Sequence, residues 1–111
     1  MTINCEHIGR AIIVTAPGDC LDASNSKRFK EDMAPLIDAH DNIVLDMSAL
    51  EFVDSSGLGA ILSCFRAVKK RNGEFLLCGL TQPVRTLFEI VRMHRIFDIL
   101  PNRDEAVKRL S

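Results

Sequence analysis

The chain has 111 residues, of which 47% are hydrophobic and 26% are charged, and its formal net charge is −1 at pH 7. A chain of this length and composition can bury one hydrophobic core but not two, so we expect a single domain over residues 1–111. The absence of an apolar run of about 20 residues, and of a basic N-terminal segment followed by an apolar one, argues against membrane insertion and a signal peptide and favours a soluble, cytoplasmic protein.

The first third of the chain predicts a hairpin followed by a helix. Two strands are predicted over residues 2–7 and 11–16, joined by a tight turn at Gly9. Ser24 or Asn25 can cap the helix that follows. The apolar side of this helix contains Phe29, Met33, Leu36 and Ile37.

A proline and a buried strand come next. Pro35 lies inside the predicted helix and is expected to kink it or split it in two. Residues 42–47 predict a strand that is covered on at least one face, because Ile43-Val44-Leu45 is a continuous apolar run. Such a strand implies a parallel sheet.

The second half of the chain alternates helices with short strands. A helix with one apolar stripe from Leu58 to Val68 is expected to end near Lys70 or Arg71, before Asn72 and Gly73. The remaining elements are a strand over 74–78, a helix starting at Thr81 and Pro83, a strand at 96–97 and a terminal helix around 106–110. The pattern predicts an α/β fold with a small mixed sheet, mostly parallel after the N-terminal hairpin and covered by about four helices.

The charges are distributed unevenly along the chain. Residues 1–60 contain ten acidic and four basic side chains, and residues 61–111 contain five acidic and ten basic ones. The basic residues of the second half lack interleaved aromatic residues and any known nucleic-acid motif. We therefore interpret them as solvated helix faces and expect no direct nucleic-acid partner.

The cysteines and histidines do not form a metal or redox motif. They have no C-x-x-C pair and no histidine at metal-ligand spacing, so we expect four reduced thiols, most of them in or near the core, surface or loop-end histidines, and no cofactor. These residues are Cys5, Cys20, Cys64, Cys78, His7, His40 and His94.

The motif 54–59, Asp-Ser-Ser-Gly-Leu-Gly, lies where a strand-like run meets a helix. Ser55 is well placed to carry a phosphate, because the first turn of a helix tolerates negative charge. Asp54 is predicted to be the N-cap. Gly57 and Gly59 indicate a need for bare backbone, either for a partner surface or for tight packing against the neighbouring strand. The G-x-S-x-G pattern of hydrolases is absent, which argues against an enzyme.

Three parts of the sequence resemble the STAS family, and most closely its anti-sigma factor antagonists. They are residues 43–53 running into the motif 54–59, Gly73-Glu74 followed by four apolar residues, and Gly18 with Leu21-Asp22-Ala23. Asp19 and Cys20 stand where the family more often has a single residue, which predicts a bulged loop.

The resemblance implies a binding switch. An unphosphorylated antagonist would bind an anti-sigma factor that is also a serine kinase, phosphorylation of Ser55 would end the binding, and a serine phosphatase would restore it. Ser56 is expected to cap the helix or turn inward. The residues implied in partner binding are Asp22, Asp54, Ser55, Ser56, Gly57 and Leu58.

Two alternatives remain open at this point. Some STAS relatives are non-enzymatic subunits of membrane transport systems or signalling assemblies, where the same helix start docks without phosphorylation. Nucleotide binding is implied only by relatives for which it has been proposed, because the P-loop spacing and its lysine are absent here.

Overall fold

The computed structural model describes residues 3–16 and 18–110. Its elements follow one another as the periodicity predicts, with two additional short strands. In chain order they are β1 (Asn4–Ile8), β2 (Ala11–Thr15), β3 (Cys20–Leu21), α1 (Ser26–Ala39), β4 (Asn42–Asp46), β5 (Phe52–Val53), α2 (Ser55–Lys70), β6 (Glu74–Cys78), α3 (Gln82–Ile90), a 3-10 turn (Met93–Arg95), β7 (Asp98–Leu100) and α4 (Arg103–Arg109).

The main sheet has five strands in the order β1-β2-β4-β6-β7. Strand β1 runs antiparallel to β2, and the other neighbours are parallel. This arrangement confirms the predicted mixed sheet with an opening hairpin and four helices. The predicted first strand began at Thr2, which lies outside the described residues, whereas β1 begins at Asn4.

The two faces of the sheet are covered by different helices. Helices α1, α2 and α3 pack on one face, where the core includes Phe29, Ile61 and Phe88. Helix α4 covers the other face through Ala106. The central strands are therefore buried on both sides. This explains why their sequences are continuously apolar and do not alternate between apolar and polar residues.

Pro35 was predicted to kink or split the first helix, and the split is wrong because α1 continues through this residue. Proline removes one backbone donor and disfavours the preceding turn. Packing overrides this preference here, because Met33 and Ile37 lie on either side of the proline and are both buried against the sheet. Pro35 itself is exposed.

The last strand of the sheet is β7 rather than residues 96–97, and this prediction is also wrong. Phe97 is buried because it contacts the rings of Phe65 and Phe88, with centroids 5.1 and 5.9 Å away. Ile96 is 45% exposed. The apolar pair therefore belongs to an aromatic cluster, and pairing with β6 begins one residue later, where Asp98 lies opposite Leu76.

Strands β3 and β5 form a second, two-stranded parallel sheet, which periodicity did not predict. The loop that contains Asp19, in which the sequence has one residue more than is usual in the family, leads directly into β3. The Asp19 carbonyl accepts hydrogen bonds from the N–H groups of Glu51 (2.7 Å) and Phe52 (3.3 Å). These two hydrogen bonds join the loop before β3 to the start of β5, and the predicted bulge at Asp19 and Cys20 stays a prediction.

An ionic cluster attaches the start of α4 to the sheet. Arg103 donates from Nε to Asp46 Oδ2 (2.6 Å), from Nη2 to Thr15 Oγ1 (2.8 Å) and from Nη1 to Glu6 Oε1. Asp46 is buried and also accepts a hydrogen bond from the Ser48 N–H (2.9 Å). Burial alone raises the pKa of Asp46, but the Arg103 and Ser48 hydrogen bonds outweigh it, so the pKa lies below its ordinary value.

Asp46→Asn is expected to lower the free energy of unfolding by about 1.5–3 kcal/mol, the range for hydrogen bonds to charged groups. Because the folded-state pKa is lowered, this contribution is complete above the ordinary value of 3.8 and is lost as pH falls through the lowered value. Urea unfolding at neutral and acidic pH measures both effects. Glu6→Gln is the control, since this exposed partner of the same guanidinium is worth about 1 kcal/mol or less; equal effects of the two variants would contradict the assignment.

Candidate functional site

The motif 54–59 lies at the carboxyl edge of the parallel strands, where β5 leads directly into α2. The short sheet β3–β5 holds two loops together at this edge, residues 18–26 and 48–54. The Asp54 N–H donates to the Leu21 carbonyl (3.2 Å), which continues the pairing up to the start of the helix. The first turn of α2 is thus supported by a second part of the chain.

Asp54 is the N-cap of α2, as predicted. Its Oδ1 accepts a hydrogen bond from the Gly57 N–H at 2.9 Å, and its Oδ2 accepts one from the Ala23 N–H at 3.1 Å. The first bond satisfies a free donor of the helix start. The second ties the loop before α1 to the same carboxylate, so Asp54 sets the relative position of both loops.

The structure distinguishes the two glycines of the motif. A Cβ atom at Gly57 would overlap the backbone carbonyl group of Leu21, whereas a Cβ atom at Gly59 would have nothing within 4 Å. Gly57 is therefore explained by tight packing of the helix start against β3, one of the two interpretations of the sequence. Gly59 is exposed, and no contact within the described residues requires a glycine there.

Ser55 and Ser56 are both exposed in the first turn of α2. Within residues 3–16 and 18–110, neither hydroxyl has a hydrogen-bond partner. The expectation that Ser56 caps the helix or turns inward is wrong, because Asp54 occupies the cap and the side chain of the second helical residue points away from the core. Ser55 directly follows the Asp54 carboxylate.

Asp22 lies on the adjacent loop and is half-buried. Its Oδ1 accepts hydrogen bonds from the Ser24 N–H (2.9 Å) and Oγ–H (2.5 Å). The Ser24 hydroxyl is the main reason that the pKa of Asp22 lies below its usual value. Asp22 is thus a charged group that shapes the turn before α1.

The site is acidic. Its two loops contain Asp19, Asp22, Glu51 and Asp54, and neither 18–26 nor 48–54 contains a lysine or arginine. None of these four carboxylates takes part in an ion pair among the described residues. A further negative group at Ser55 would be stabilised by the backbone N–H groups of the helix start, because these loops offer no cation.

Phe52 is a surface residue of the site that the sequence analysis missed. It is 55% exposed, while its neighbour Val53 is buried. Alternation along a strand puts successive side chains on opposite faces, and only the pairing of β5 with β3 shows which face is covered. An exposed aromatic ring two residues before the N-cap can provide a large apolar contact.

Gly57 and Leu58 lie behind the surface rather than on it. Leu58 is 9% exposed and packs in the core under α2. Both were predicted to contact a partner, and this stays a prediction; in the chain by itself both are buried. The exposed side chains of the site include those of Ser55, Ser56, Glu51, Phe52 and Asp19.

Among the residues that the structure describes, the site has no pair that would activate a nucleophile and no group that would hold a metal. A nucleophilic serine needs a base within hydrogen-bond distance, and Ser55 has none in the described part of the chain. Burial raises the pKa of the Cys64 and Cys78 thiols to about 12, which makes them unreactive. Residues 3–16 and 18–110 contain no group of three or more His, Cys, Asp or Glu that could hold a metal ion.

None of the helices in the described ranges is long and apolar enough to cross a membrane. The longest helix is α2, with 16 residues, and its outer surface carries charged and polar side chains.

The sequence is similar to known proteins over most of its length. The family model described as "STAS domain" matches residues 2–106. An anti-sigma F factor antagonist from Paenibacillus polymyxa is 33% identical over 113 residues, which cover 100% of this chain and 93% of that protein.

Two solved structures show the same fold. An anti-sigma-factor antagonist (STAS) domain protein from Planctomyces limnophilus has a TM-score of 0.88 at 15% identity, with 100% of this chain and 99% of that chain covered. The Bacillus cell fate determinant SpoIIAA in its phosphorylated form has a TM-score of 0.74 at 20% identity, with 99% and 100% covered. At these identities the two structures support the fold alone.

Proposed function

This chain belongs to the STAS domain family, and on that premise we propose that it is an anti-sigma factor antagonist, a binding protein rather than an enzyme. The similarity to the Paenibacillus polymyxa antagonist, which extends over 100% of this chain, supports the role. The partner in this proposal is an anti-sigma factor with serine kinase activity. In the same proposal, a serine phosphatase removes the phosphate from Ser55.

The observation that carries the switch is the position of Ser55. Its hydroxyl is exposed on the first turn of α2, follows the capping carboxylate directly and forms no hydrogen bond within the described residues. A kinase can therefore reach the hydroxyl without unfolding the helix start. The Asp54 carboxylate is held rigidly by two backbone N–H groups and provides a fixed acidic group beside the phosphate acceptor.

The physical effect of phosphate differs between the free and the bound protein. In the free protein, water and the amide groups of the helix start stabilise the added charge of about −1.5 to −2. In a complex, the same charge would lose its water beside two loops that contain four carboxylates and no lysine or arginine. Phosphorylation of Ser55 therefore favours the free protein.

The proposal is tested by affinity capture from the native cell extract with Ser55→Ala and Ser55→Glu variants as paired baits, followed by mass spectrometry. Retention of an ATP-binding serine kinase by the alanine bait, and not by the glutamate bait, is the expected result. Capture of the same transporter or assembly components by both baits would contradict the switch and support the docking-subunit alternative instead.

Phe52→Ala is expected to weaken binding to the captured anti-sigma factor at least about tenfold, because exposed aromatic side chains at the centre of an interface provide much of its energy. The substitution should lower the free energy of unfolding only slightly, because the ring is 55% exposed. Calorimetric titration of the purified pair measures the affinity.

Ile90→Ala is the matched control for Phe52→Ala. Ile90 is a more exposed apolar residue, at 72%, and lies at the far end of α3 from the carboxyl edge. Its loss should leave the affinity unchanged. If both variants bound as tightly as the wild type, Phe52 would have no part in the interface.

A further inference from the structure

Two histidines that are distant in sequence meet at the opposite edge of the sheet from Ser55. His7 lies on the edge strand β1, and His40 is the first residue after α1. Their Nε2 atoms are 3.0 Å apart, and their ring centroids are separated by 5.1 Å. The contact joins residues 33 positions apart, so spacing along the chain did not indicate it.

The His40 ring is held with a defined tautomer. Its Nδ1 lies 3.0 Å from the Leu36 carbonyl oxygen, which can only accept, so this nitrogen carries the hydrogen. The lone pair of the neutral ring is then on Nε2, which accepts the hydrogen bond from His7 Nε2–H (3.0 Å), and an ion that binds both nitrogens would replace that hydrogen. A carbonyl bonded to the second ring nitrogen is the usual support of a metal-bound histidine.

The surrounding backbone is fixed by Arg71. Its guanidinium donates to the Ile37 carbonyl and to the His40 carbonyl (3.3 Å), which satisfies free acceptors at the end of α1. Arg71 also pairs with Asp41 at 3.5 Å. The position of the His40 ring therefore does not depend on the His7 contact alone.

The nitrogen spacing fits one metal ion. Imidazole nitrogens bind first-row divalent metals at about 2.1 Å, so two of them in adjacent positions of a square or octahedron are about 3.0 Å apart. We propose that His7 and His40 form a two-histidine site for a late first-row divalent metal ion, of which Ni²⁺ and Cu²⁺ prefer this geometry, with water completing the coordination.

An ion bound to both histidines would link the edge strand β1 to the end of α1. It would stabilise the fold without covering the carboxyl edge, where the acidic loops and Ser55 are exposed. The third histidine, His94, is exposed on the 3-10 turn and makes no ring contact within residues 3–16 and 18–110, which makes it a natural control.

The test is calorimetric titration of the full chain, prepared without a polyhistidine tag, with Ni²⁺ at neutral pH. Ni²⁺ is preferred as the probe over Cu²⁺ because Cu²⁺ oxidises exposed thiols such as Cys5. The wild type and His94→Ala should each bind one ion. His7→Ala and His40→Ala should each bind at least about tenfold more weakly, because each loses one of the two ligands and loss of an outer-shell partner alone has that effect.

Thermal unfolding gives a second readout that does not depend on heats of binding. Excess Ni²⁺ should raise the unfolding midpoint of the wild type and of His94→Ala, because the ion binds the folded state, but not that of His7→Ala. His7 is exposed on an edge strand, so its alanine variant should retain the wild-type circular dichroism spectrum. A wild type that binds no Ni²⁺, or a His7→Ala variant that binds it as tightly as the wild type, would overturn the proposal.

Discussion

Ser55→Glu is expected to weaken binding of the anti-sigma factor by tens- to thousands-fold relative to Ser55→Ala, a loss of about 2–5 kcal/mol. The range is that for leaving a charge unpaired at a buried interface. It applies here because the loops around Ser55 hold four carboxylates and no lysine or arginine. Phosphoserine, with nearly twice the charge of glutamate, should have an effect at least as large.

Ser56→Glu is the control for charge alone. It lies next to Ser55, is equally exposed and also belongs to the first turn of α2, so it adds the same charge to the same surface. We expect it to weaken binding less than Ser55→Glu does, because it lies one residue further along the chain from the Asp54 carboxylate. Surface plasmon resonance with the purified kinase compares the variants; a large loss for Ser56→Glu together with wild-type affinity for Ser55→Glu would assign the switch to Ser56 instead.

Gly57→Ala is expected to lower the free energy of unfolding by about 3 kcal/mol, the upper end of the usual cost of overpacking. The added methyl group would overlap the Leu21 carbonyl, which is backbone and cannot move aside as a side chain would. The helix start would have to shift away from β3. Such a shift would also disturb the Asp54 hydrogen bonds to Gly57 and Ala23, so binding to the partner should weaken even in the unphosphorylated state.

Gly59→Ala provides the matched control, two residues further along the same helix. Nothing lies within 4 Å of its added carbon. Alanine stabilises a helix by about 0.5–1 kcal/mol relative to glycine, so this variant should be slightly more stable than the wild type. Urea unfolding of both variants measures the contrast. Equal destabilisation by the two substitutions would show that helix propensity, and not the contact with Leu21, is what matters at Gly57.

The long periodic elements could be predicted from the sequence because their burial pattern is local. The buried runs of β2, β4 and β6 and the apolar stripe of α2 all lie where the pattern indicated. Two predictions failed where contacts with distant residues outweighed local preference. Tertiary packing holds α1 together through Pro35, and the aromatic cluster around Phe97 displaces the last strand to β7.

The candidate site likewise has features that the sequence could predict and features that only the structure shows. The N-cap role of Asp54 follows from rules of the first helical turn, and these depend only on neighbouring residues. The difference between Gly57 and Gly59, the exposure of Phe52 and the burial of Leu58 depend on the short sheet β3–β5. Each of its strands has two residues, too few for a periodic signal.

The amino-acid sequence by itself therefore determined the α/β class, the order of the main elements, the family and the helix start at which Ser55 is placed, because these follow from local burial patterns and a contiguous motif. Only the tertiary structure decided which glycine is required, which residues form the exposed site, that Arg103 joins α4 to Asp46, and that His7 meets His40. These are contacts between residues far apart in the chain, and their geometry is set by how the helices and strands pack.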